Sequence, residues 1–279
     1  LAMRKYYPTY AQSIGLILLM IPLSIVPVVI LIILHLFEST LAIAVSYSVI
    51  MSLTIVFALN KRKDFSFSRE SFPASLLIIA FVFIMSFQVV IDPLSNIIPA
   101  PENLNKIISE MIQMPILAFI TIVVLAPLLE ELLFRGIILD GYLKNYSPVN
   151  SILISAILFA LIHGNLAQGI GAFIMGLVAG LLYWRTKSLL LCIALHFSNN
   201  LTAFLAMIAD PESVSSEATL QQLINNDIIY FVIYLIFCLL LATTGWYLWV
   251  KHLKPVRELF IKKPFVYAEI PNPDQVDQV

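Results

Sequence analysis

Long apolar runs separated by short polar breaks fill the chain from residue 12 to residue 250. A helix that crosses a bilayer needs about 20 mainly apolar residues, because the hydrocarbon layer is about 30 Å thick. The pattern therefore predicts an all-α fold, a polytopic membrane bundle of about eight transmembrane helices. The predicted spans are residues 12–36, 40–59, 73–91, 115–139, 150–163, 168–184, 188–208 and 228–250.

Basic residues lie on alternate connections between these runs, which indicates how the chain is oriented. The rule that positive loops stay in the cytoplasm places those connections, and both termini, on the cytoplasmic side. We expect an integral membrane protein, in the cell membrane if the source is prokaryotic. The basic residues that carry this prediction are Arg4, Lys5, Lys61, Arg62, Lys63, Arg69, Lys144, Arg185, Lys187, Lys251, Lys254, Arg257, Lys262 and Lys263.

The composition agrees with a lipid environment and excludes several classes of protein. Apolar residues make up 60% of the chain and charged residues 12%, against roughly half and a quarter in a soluble domain. The net charge is −1, and no basic stripe marks a nucleic-acid-binding protein. Cys192 and Cys238 lie in apolar runs outside any CxxC spacing, so neither a disulfide framework nor a thiolate metal site is expected.

No internal repeat divides the chain, so we expect one integral membrane domain over residues 1–279 with a cytoplasmic tail at about 251–279. Within the sixth predicted span, Gly176 and Gly180 form a GxxxG motif. Such a motif lets two helix backbones approach closely. Packing against a neighbouring helix is the interpretation we favour, and approach to a substrate is the alternative.

Ionisable residues inside a membrane span cost several kcal/mol by insertion scales, and each is therefore a functional hypothesis. Three spans of this chain contain them. The fourth has Glu130-Glu131-Leu132-Leu133-Phe134-Arg135, the fifth ends with Phe159-Ala160-Leu161-Ile162-His163, and the seventh has His196-Phe197-Ser198-Asn199-Asn200. We expect these groups to meet at a polar cavity inside the membrane.

Helical spacing separates the two adjacent carboxylates. Glu131 and Arg135 are four residues apart and lie on one helical face, where they can neutralise each other. A structural brace is the interpretation that we favour for this pair. Glu130 points away from Arg135 and has no partner on its own helix. It is therefore the candidate general base.

Two imidazoles and an amide complete the candidate cluster. His196 and Asn200 are also four residues apart, so both side chains can donate hydrogen bonds into one pocket. His163 lies at the end of the fifth span, where Gly164 and Asn165 favour a helix stop. An interhelical hydrogen bond that stabilises the bundle is the alternative role for the amides.

The motifs EExxxR, FxxxH and HxxxN, in this order on three spans, resemble those of the CPBP intramembrane proteases. This family contains the type II CAAX prenyl endopeptidases and enzymes of bacteriocin processing and self-immunity. The resemblance covers Glu130 to Asn200, within a motif core of about residues 115–208. It implies that Glu130 activates water, that His163 assists, and that His196 and Asn200 stabilise the oxyanion. Glu131 and Arg135 match the remaining motif positions and would support the site.

The resemblance implies a glutamate-dependent hydrolase that cuts a peptide bond near the cytoplasmic half of the bilayer and needs no cofactor. Its substrate would be a peptide or a membrane-anchored protein, prenylated or bearing a leader, and its other partner is membrane lipid. Two alternatives remain open. Glu130, His163 and His196 could bind a catalytic zinc ion, or the polar cluster could belong to a non-catalytic scaffold or a transporter.

Overall fold

The computed structural model describes residues 6–35, 40–62, 72–95, 110, 113–209 and 228–248. Over these ranges the chain forms eight helices of 14 or more residues and no strand, so the predicted all-α bundle is confirmed. The helices are α1 (Tyr10–Ile33), α2 (Thr40–Lys61), α3 (Ala74–Ser95), α4 (Pro115–Asn145), α5 (Pro148–Leu161), α6 (Leu166–Thr186), α7 (Leu189–Ala209) and α8 (Ile228–Leu248).

Five of these helices, as far as they are described, are long and apolar enough to cross a membrane, namely α1, α2, α4, α6 and α7. The described apolar parts of α3, α5 and α8 are shorter. The largest difference from the predicted boundaries is at the end of α4, which continues to Asn145 rather than ending at residue 139. Hydropathy falls at Asp140, but this carboxylate pairs with Arg62 and Lys144, which accommodates a charged last turn.

Helix α4 is the centre of the bundle and is not a regular α-helix. Two of its segments, Phe119–Leu125 and Leu132–Leu139, have π-helical hydrogen bonding, and the segment Ala126–Glu131 between them is α-helical. From Leu133 to Leu139 every residue is buried, so neighbouring helices surround this part of α4. The Glu130–Glu131 pair thus ends a short α-helical segment between two π-helical ones. Such π-helical turns are rare and often mark functional sites.

Helices α5 and α6 pack closely through the predicted glycine motif. A methyl group on Gly176 would lie 2.9 Å from Cα and Cβ of Ala156, and one on Gly180 would lie 3.0 Å from Ile152. The glycines thus bring two helices of the same chain together, as the favoured interpretation predicted.

The turn between α5 and α6 places His163. Helix α5 ends at Leu161, so His163 lies in the turn rather than in the last helical position predicted for it. Gly164 adopts φ 69°, the left-handed conformation that stops the helix. Asn165 then caps α6 by accepting a hydrogen bond from the Gln168 amide.

Charged side chains at or just beyond the ends of α2, α4 and α6 meet at one end of the bundle, which we call the basic end. Asp140 is its centre: it pairs with Arg62, lies 3.3 Å from Lys144 Nζ and accepts from the Tyr183 hydroxyl at 3.3 Å. The pKa of Lys187 is lowered from its ordinary value, chiefly because the side chain is buried. The negative charge of Asp140 opposes this shift but is the smaller effect. The basic residues predicted to orient the chain at 4–5, 63–69 and 251–263, and the whole tail at 251–279, lie outside the described residues.

Candidate active site

Glu130 is buried at the end of the α-helical segment of α4 and receives a hydrogen bond from another helix. Its side chain is 9% exposed, and the Tyr47 hydroxyl of α2 donates to its Oε1 at 2.5 Å. A hydrogen bond this short is typical of a hydroxyl that donates to a charged carboxylate. One oxygen of Glu130 is therefore fixed by α2, and Oε2 is directed elsewhere.

Glu131 binds both Arg135 and His196 through a single oxygen. Arg135 Nη1 donates to Glu131 Oε1 at 2.8 Å, which is the pair that the four-residue spacing predicted. His196 Nδ1 lies 2.9 Å from the same oxygen. All three residues are buried. Because the guanidinium charge stabilises the carboxylate, we assign Glu131 as the acceptor and His196 Nδ1–H as the donor.

This bond turns the other nitrogen of His196 toward Glu130. His196 Nε2 lies 3.9 Å from Glu130 Oε2, beyond direct hydrogen-bond distance but suited to a bridging water. A neutral ring that donates from Nδ1 has a lone pair at Nε2, whereas an imidazolium donates from both nitrogens. The imidazolium would balance the charges of Glu130, Glu131 and Arg135, and unlike this neutral ring it could donate from Nε2 to an oxyanion.

The Glu131–Arg135 pair is incompletely satisfied within the described part of the protein. Glu131 Oε2 and the Nε and Nη2 atoms of Arg135 are buried and have no hydrogen-bond partner there. Such atoms carry a desolvation penalty of about 1–3 kcal/mol each. The guanidinium also lies 4.5 Å from the centre of the Phe159 ring, a cation–π contact that offsets part of this penalty.

The Phe159 ring, from the FxxxH motif, connects the two histidines. Its centre lies 5.1 Å from the His163 ring and 5.8 Å from the His196 ring, and both contacts are edge-to-face. His163 Nδ1 donates to the Phe159 carbonyl at 2.9 Å, which leaves Nε2 of the neutral ring as an acceptor. His163 therefore borders the cluster, but among the described contacts it makes no hydrogen bond to Glu130 or His196.

Asn200 binds the backbone of α4. Its Nδ2 donates to the Ile122 carbonyl at 2.9 Å. In the π-helical segment, the backbone N–H of Ala126 donates to the carbonyl of Thr121, five residues earlier. By the same spacing, the donor for the Ile122 carbonyl would be the backbone N–H of residue 127. That residue is proline and has no N–H. Asn200 thus supplies the hydrogen bond that Pro127 cannot, and its second N–H is not used by any described group.

Two further amides extend this contact across the bundle. Gln88 of α3 donates to Asn199 Oδ1 at 2.7 Å, and Asn199 Nδ2 donates to Asn200 Oδ1 at 3.1 Å. The chain of amides joins α3, α7 and α4 and fixes the orientation of the Asn200 side chain. The alternative role considered from the sequence, in which the amides form interhelical hydrogen bonds, therefore accounts for part of what Asn200 does.

The structure gathers the predicted residues unequally. Glu130, Glu131, Arg135 and His196 form one buried cluster, whereas His163 and Asn200 lie at its border and make separate contacts. Among the described residues, no three His, Cys, Asp or Glu side chains are grouped to hold a metal ion. The alternative zinc ligands Glu130, His163 and His196 thus do not form a ligand set in this geometry.

Three contributors to the site were missed by sequence reasoning: Tyr47, Gln88 and the ring of Phe159. Tyr47 offered a signal, because a tyrosine in the middle of an apolar span needs a hydrogen-bond partner for its hydroxyl. Its partner could not be named from the sequence, since Tyr47 and Glu130 are 83 residues apart.

Comparison with known proteins finds one family that resembles part of the chain. The model of the family described as type II CAAX prenyl endopeptidase Rce1-like matches residues 112–202. These residues are therefore similar to the Rce1-like family. The Rce1-like region contains all six predicted site residues, and the resemblance drawn from the motifs is confirmed. Tyr47 and Gln88, which contact the site from α2 and α3, lie outside this region.

Two curated proteins resemble part of the chain. The "Putative membrane peptidase YdiL" of Bacillus subtilis is 29% identical over 125 residues, which are 44% of this chain and 50% of that protein. The "Uncharacterized 24.3 kDa protein" of Escherichia coli is 35% identical over 105 residues, 36% of this chain and 48% of that protein. The chain thus spans about half the length of these relatives, and no solved structure matches it.

Proposed function

We propose that the chain is an intramembrane endopeptidase of the glutamate-dependent type, which hydrolyses a peptide bond in a membrane-associated protein or peptide. The observation that carries the proposal is the pair formed by Glu130 Oε2 and His196 Nε2, 3.9 Å apart and buried among apolar helices. The Rce1-like match over residues 112–202 supports the same class of reaction.

In this proposal Glu130 is the general base. A water between Oε2 and His196 gives one proton to Glu130 while its oxygen forms a bond with the carbonyl carbon of the substrate. The carbonyl electron pair moves onto the oxygen. When the C–N bond then breaks, the leaving nitrogen takes the proton from Glu130, and the carboxylate is restored. His163, whose Nε2 is an acceptor, would orient the water from the border of the cluster.

The negative charge on the attacked oxygen needs hydrogen-bond donors that are already in place. His196, as the imidazolium, would donate from Nε2 because Glu131 holds its Nδ1. Asn200 would use the N–H that is not bonded to Ile122. Both donors are held by other side chains, so they need little reorganisation during the reaction. Glu131 and Arg135 act through His196 in this scheme and do not contact the substrate.

The proposed substrates are peptides or proteins already held at the bilayer, because the candidate site lies on α4 and α7, which are long and apolar enough to cross a membrane. A prenylated protein and a leader peptide both meet this description. Membrane lipid is the second proposed partner, and the sequence, which has no basic stripe, gives no reason to add nucleic acid. The gathering of Arg62, Lys144 and Lys187 at the basic end supports placing that end, and both termini, in the cytoplasm.

Zinc-dependent hydrolysis is the second enzymatic candidate. The finding that no group of metal ligands forms among the described residues supports the glutamate mechanism over it. No step is assigned to a metal. Activity that persists in excess chelator, in protein shown by elemental analysis to carry less than one zinc per ten chains, would exclude this candidate. Activity that is lost with chelator and restored by zinc alone would favour it over the glutamate mechanism.

The decisive experiment compares the parent protein with Glu130→Gln. Purified protein in liposomes is incubated with membrane peptides, and cleavage is followed by mass spectrometry. In cells, peptides that accumulate with Glu130→Gln identify the substrate. We expect the rate to fall at least about 100-fold, because general-base catalysis contributes roughly 10²–10⁴-fold.

The folded state must be checked in the same samples. Glu130→Gln is close to isosteric and keeps an oxygen that can accept from Tyr47, so the unfolding temperature should change little. An unchanged cleavage rate would refute the proposal. A scaffold or transporter, the non-enzymatic alternative, predicts that neither the parent nor the variant cleaves any peptide.

A further inference from the structure

Helix α2 contributes a side chain to the site from outside the family match. Tyr47 Oη lies 2.5 Å from Glu130 Oε1, whereas the Rce1-like region begins only at residue 112. Tyr47 is itself partly buried and packs against the main apolar core. Its ring is therefore held by packing, and its hydroxyl has a fixed direction.

The hydrogen bond determines which oxygen of Glu130 is available. A glutamate side chain has several rotatable bonds, and without a partner its carboxylate would sample several orientations in the cluster. With Oε1 bonded to Tyr47, Oε2 is the oxygen that faces His196 Nε2 at 3.9 Å. His196 is oriented in the same manner by Glu131. Glu130 and His196 are thus each oriented by a hydrogen bond to a different side chain.

We propose that Tyr47 is a positioning residue that holds the Glu130 carboxylate with Oε2 toward His196, an inference that rests on the proposed endopeptidase function. It acts on the reaction through Glu130 and does not contact the substrate. The competing account is that the hydroxyl only joins α2 to α4. A single hydrogen bond between membrane helices contributes little to stability, so this account predicts a small change in unfolding temperature and none in turnover.

The test uses Tyr47→Phe, which removes the hydroxyl and keeps the ring. We expect kcat to fall about 10- to 100-fold, with KM changed less than about 2-fold, because misplacement of a catalytic group by about 1 Å can cost about 100-fold in rate. Tyr234→Phe is the matched control. The Tyr234 hydroxyl donates to the Val90 carbonyl at 3.5 Å and so joins α8 to α3, and none of its described partners is a residue of the cluster. Its removal should leave kcat unchanged.

A spectroscopic readout tests the bond itself. The infrared band of the Glu130 carboxylate, assigned by its loss in Glu130→Gln, should shift in Tyr47→Phe and stay in place in Tyr234→Phe. A wild-type rate that persists in Tyr47→Phe would overturn the inference alone and leave the proposed function standing. A parent protein that cleaves no membrane peptide would overturn the proposed function and the inference with it.

Discussion

Glu131 and His196 are joined by a 2.9 Å hydrogen bond between the fourth and seventh helices, and the bond uses the same glutamate oxygen that pairs with Arg135. Glu131 therefore has two tasks: it neutralises a buried guanidinium and it orients an imidazole. The neighbouring Glu130 shares neither task. Two adjacent carboxylates in one helix thus have different environments, and their substitutions should have different effects.

We predict that Glu131→Gln lowers stability as well as activity. Removing one charge of a buried pair leaves the other uncompensated, which costs about 3–5 kcal/mol. Unfolding in detergent should therefore begin at a clearly lower temperature for Glu131→Gln than for Glu130→Gln. Equal unfolding temperatures for the two variants would contradict the separate roles.

Replacing the whole pair separates its two tasks. The double variant Glu131→Leu with Arg135→Met removes both charges together with their unsatisfied atoms, and such replacements are often neutral or stabilising. We expect its unfolding temperature to recover toward that of the parent while turnover stays low, since His196 has lost its acceptor. Recovery of turnover together with stability would show that orientation by Glu131 is unnecessary.

We predict that the stability cost of Asn200→Ala depends on Pro127. In the parent protein this substitution leaves the Ile122 carbonyl without its donor, at a cost of about 1–3 kcal/mol. Pro127→Ala restores a backbone N–H to α4, so the cost should be smaller when Asn200→Ala is made in that variant. Denaturant unfolding of the parent, the two single variants and the double variant measures how far the stability cost of Asn200→Ala depends on Pro127. Equal costs in the presence and in the absence of Pro127 would contradict the prediction. Turnover that stays low in the double variant would support the second role of Asn200 as an oxyanion donor.

We predict opposite responses at two glycines of α6. A methyl group at Gly176 meets the backbone of Ala156 at 2.9 Å, so Gly176→Ala must separate α5 from α6 and should destabilise the protein by about 1–3 kcal/mol. Gly171 has open space around its Cα, so Gly171→Ala should be neutral or stabilise the helix by up to about 1 kcal/mol. Thermal unfolding of the two variants makes the comparison, and similar values would show that close packing at Gly176 is unimportant.

We predict that a fluorescent protein fused after Val279 folds in the cytoplasm, since the positive residues orient the chain. Alkaline phosphatase fused after Ala209, at the end of the seventh helix, should be active on the opposite side. A phosphatase that is active when fused after Val279 would reverse the orientation.

Much of the architecture follows from local sequence. Hydropathy located all eight helices, because crossing a bilayer requires runs of apolar residues whatever their neighbours are. The four-residue spacing predicted the Glu131–Arg135 pair, and Gly164 explained the end of α5, since both depend only on the geometry of one helix or turn. The motif order also identified which helices carry the polar residues.

The remaining features depend on how the helices pack against one another. Tyr47 meets Glu130, and Gln88 meets Asn199, only because α2 and α3 stand at particular heights beside α4 and α7. Hydropathy does not determine that register. The two π-helical segments likewise change which residues of α4 face each neighbour, so a regular α-helix could not predict that Asn200 binds Ile122. Sequence alone determined the helices and the residue types of the site, and tertiary packing decided which atoms meet, because contacts between helices depend on the relative positions of distant segments.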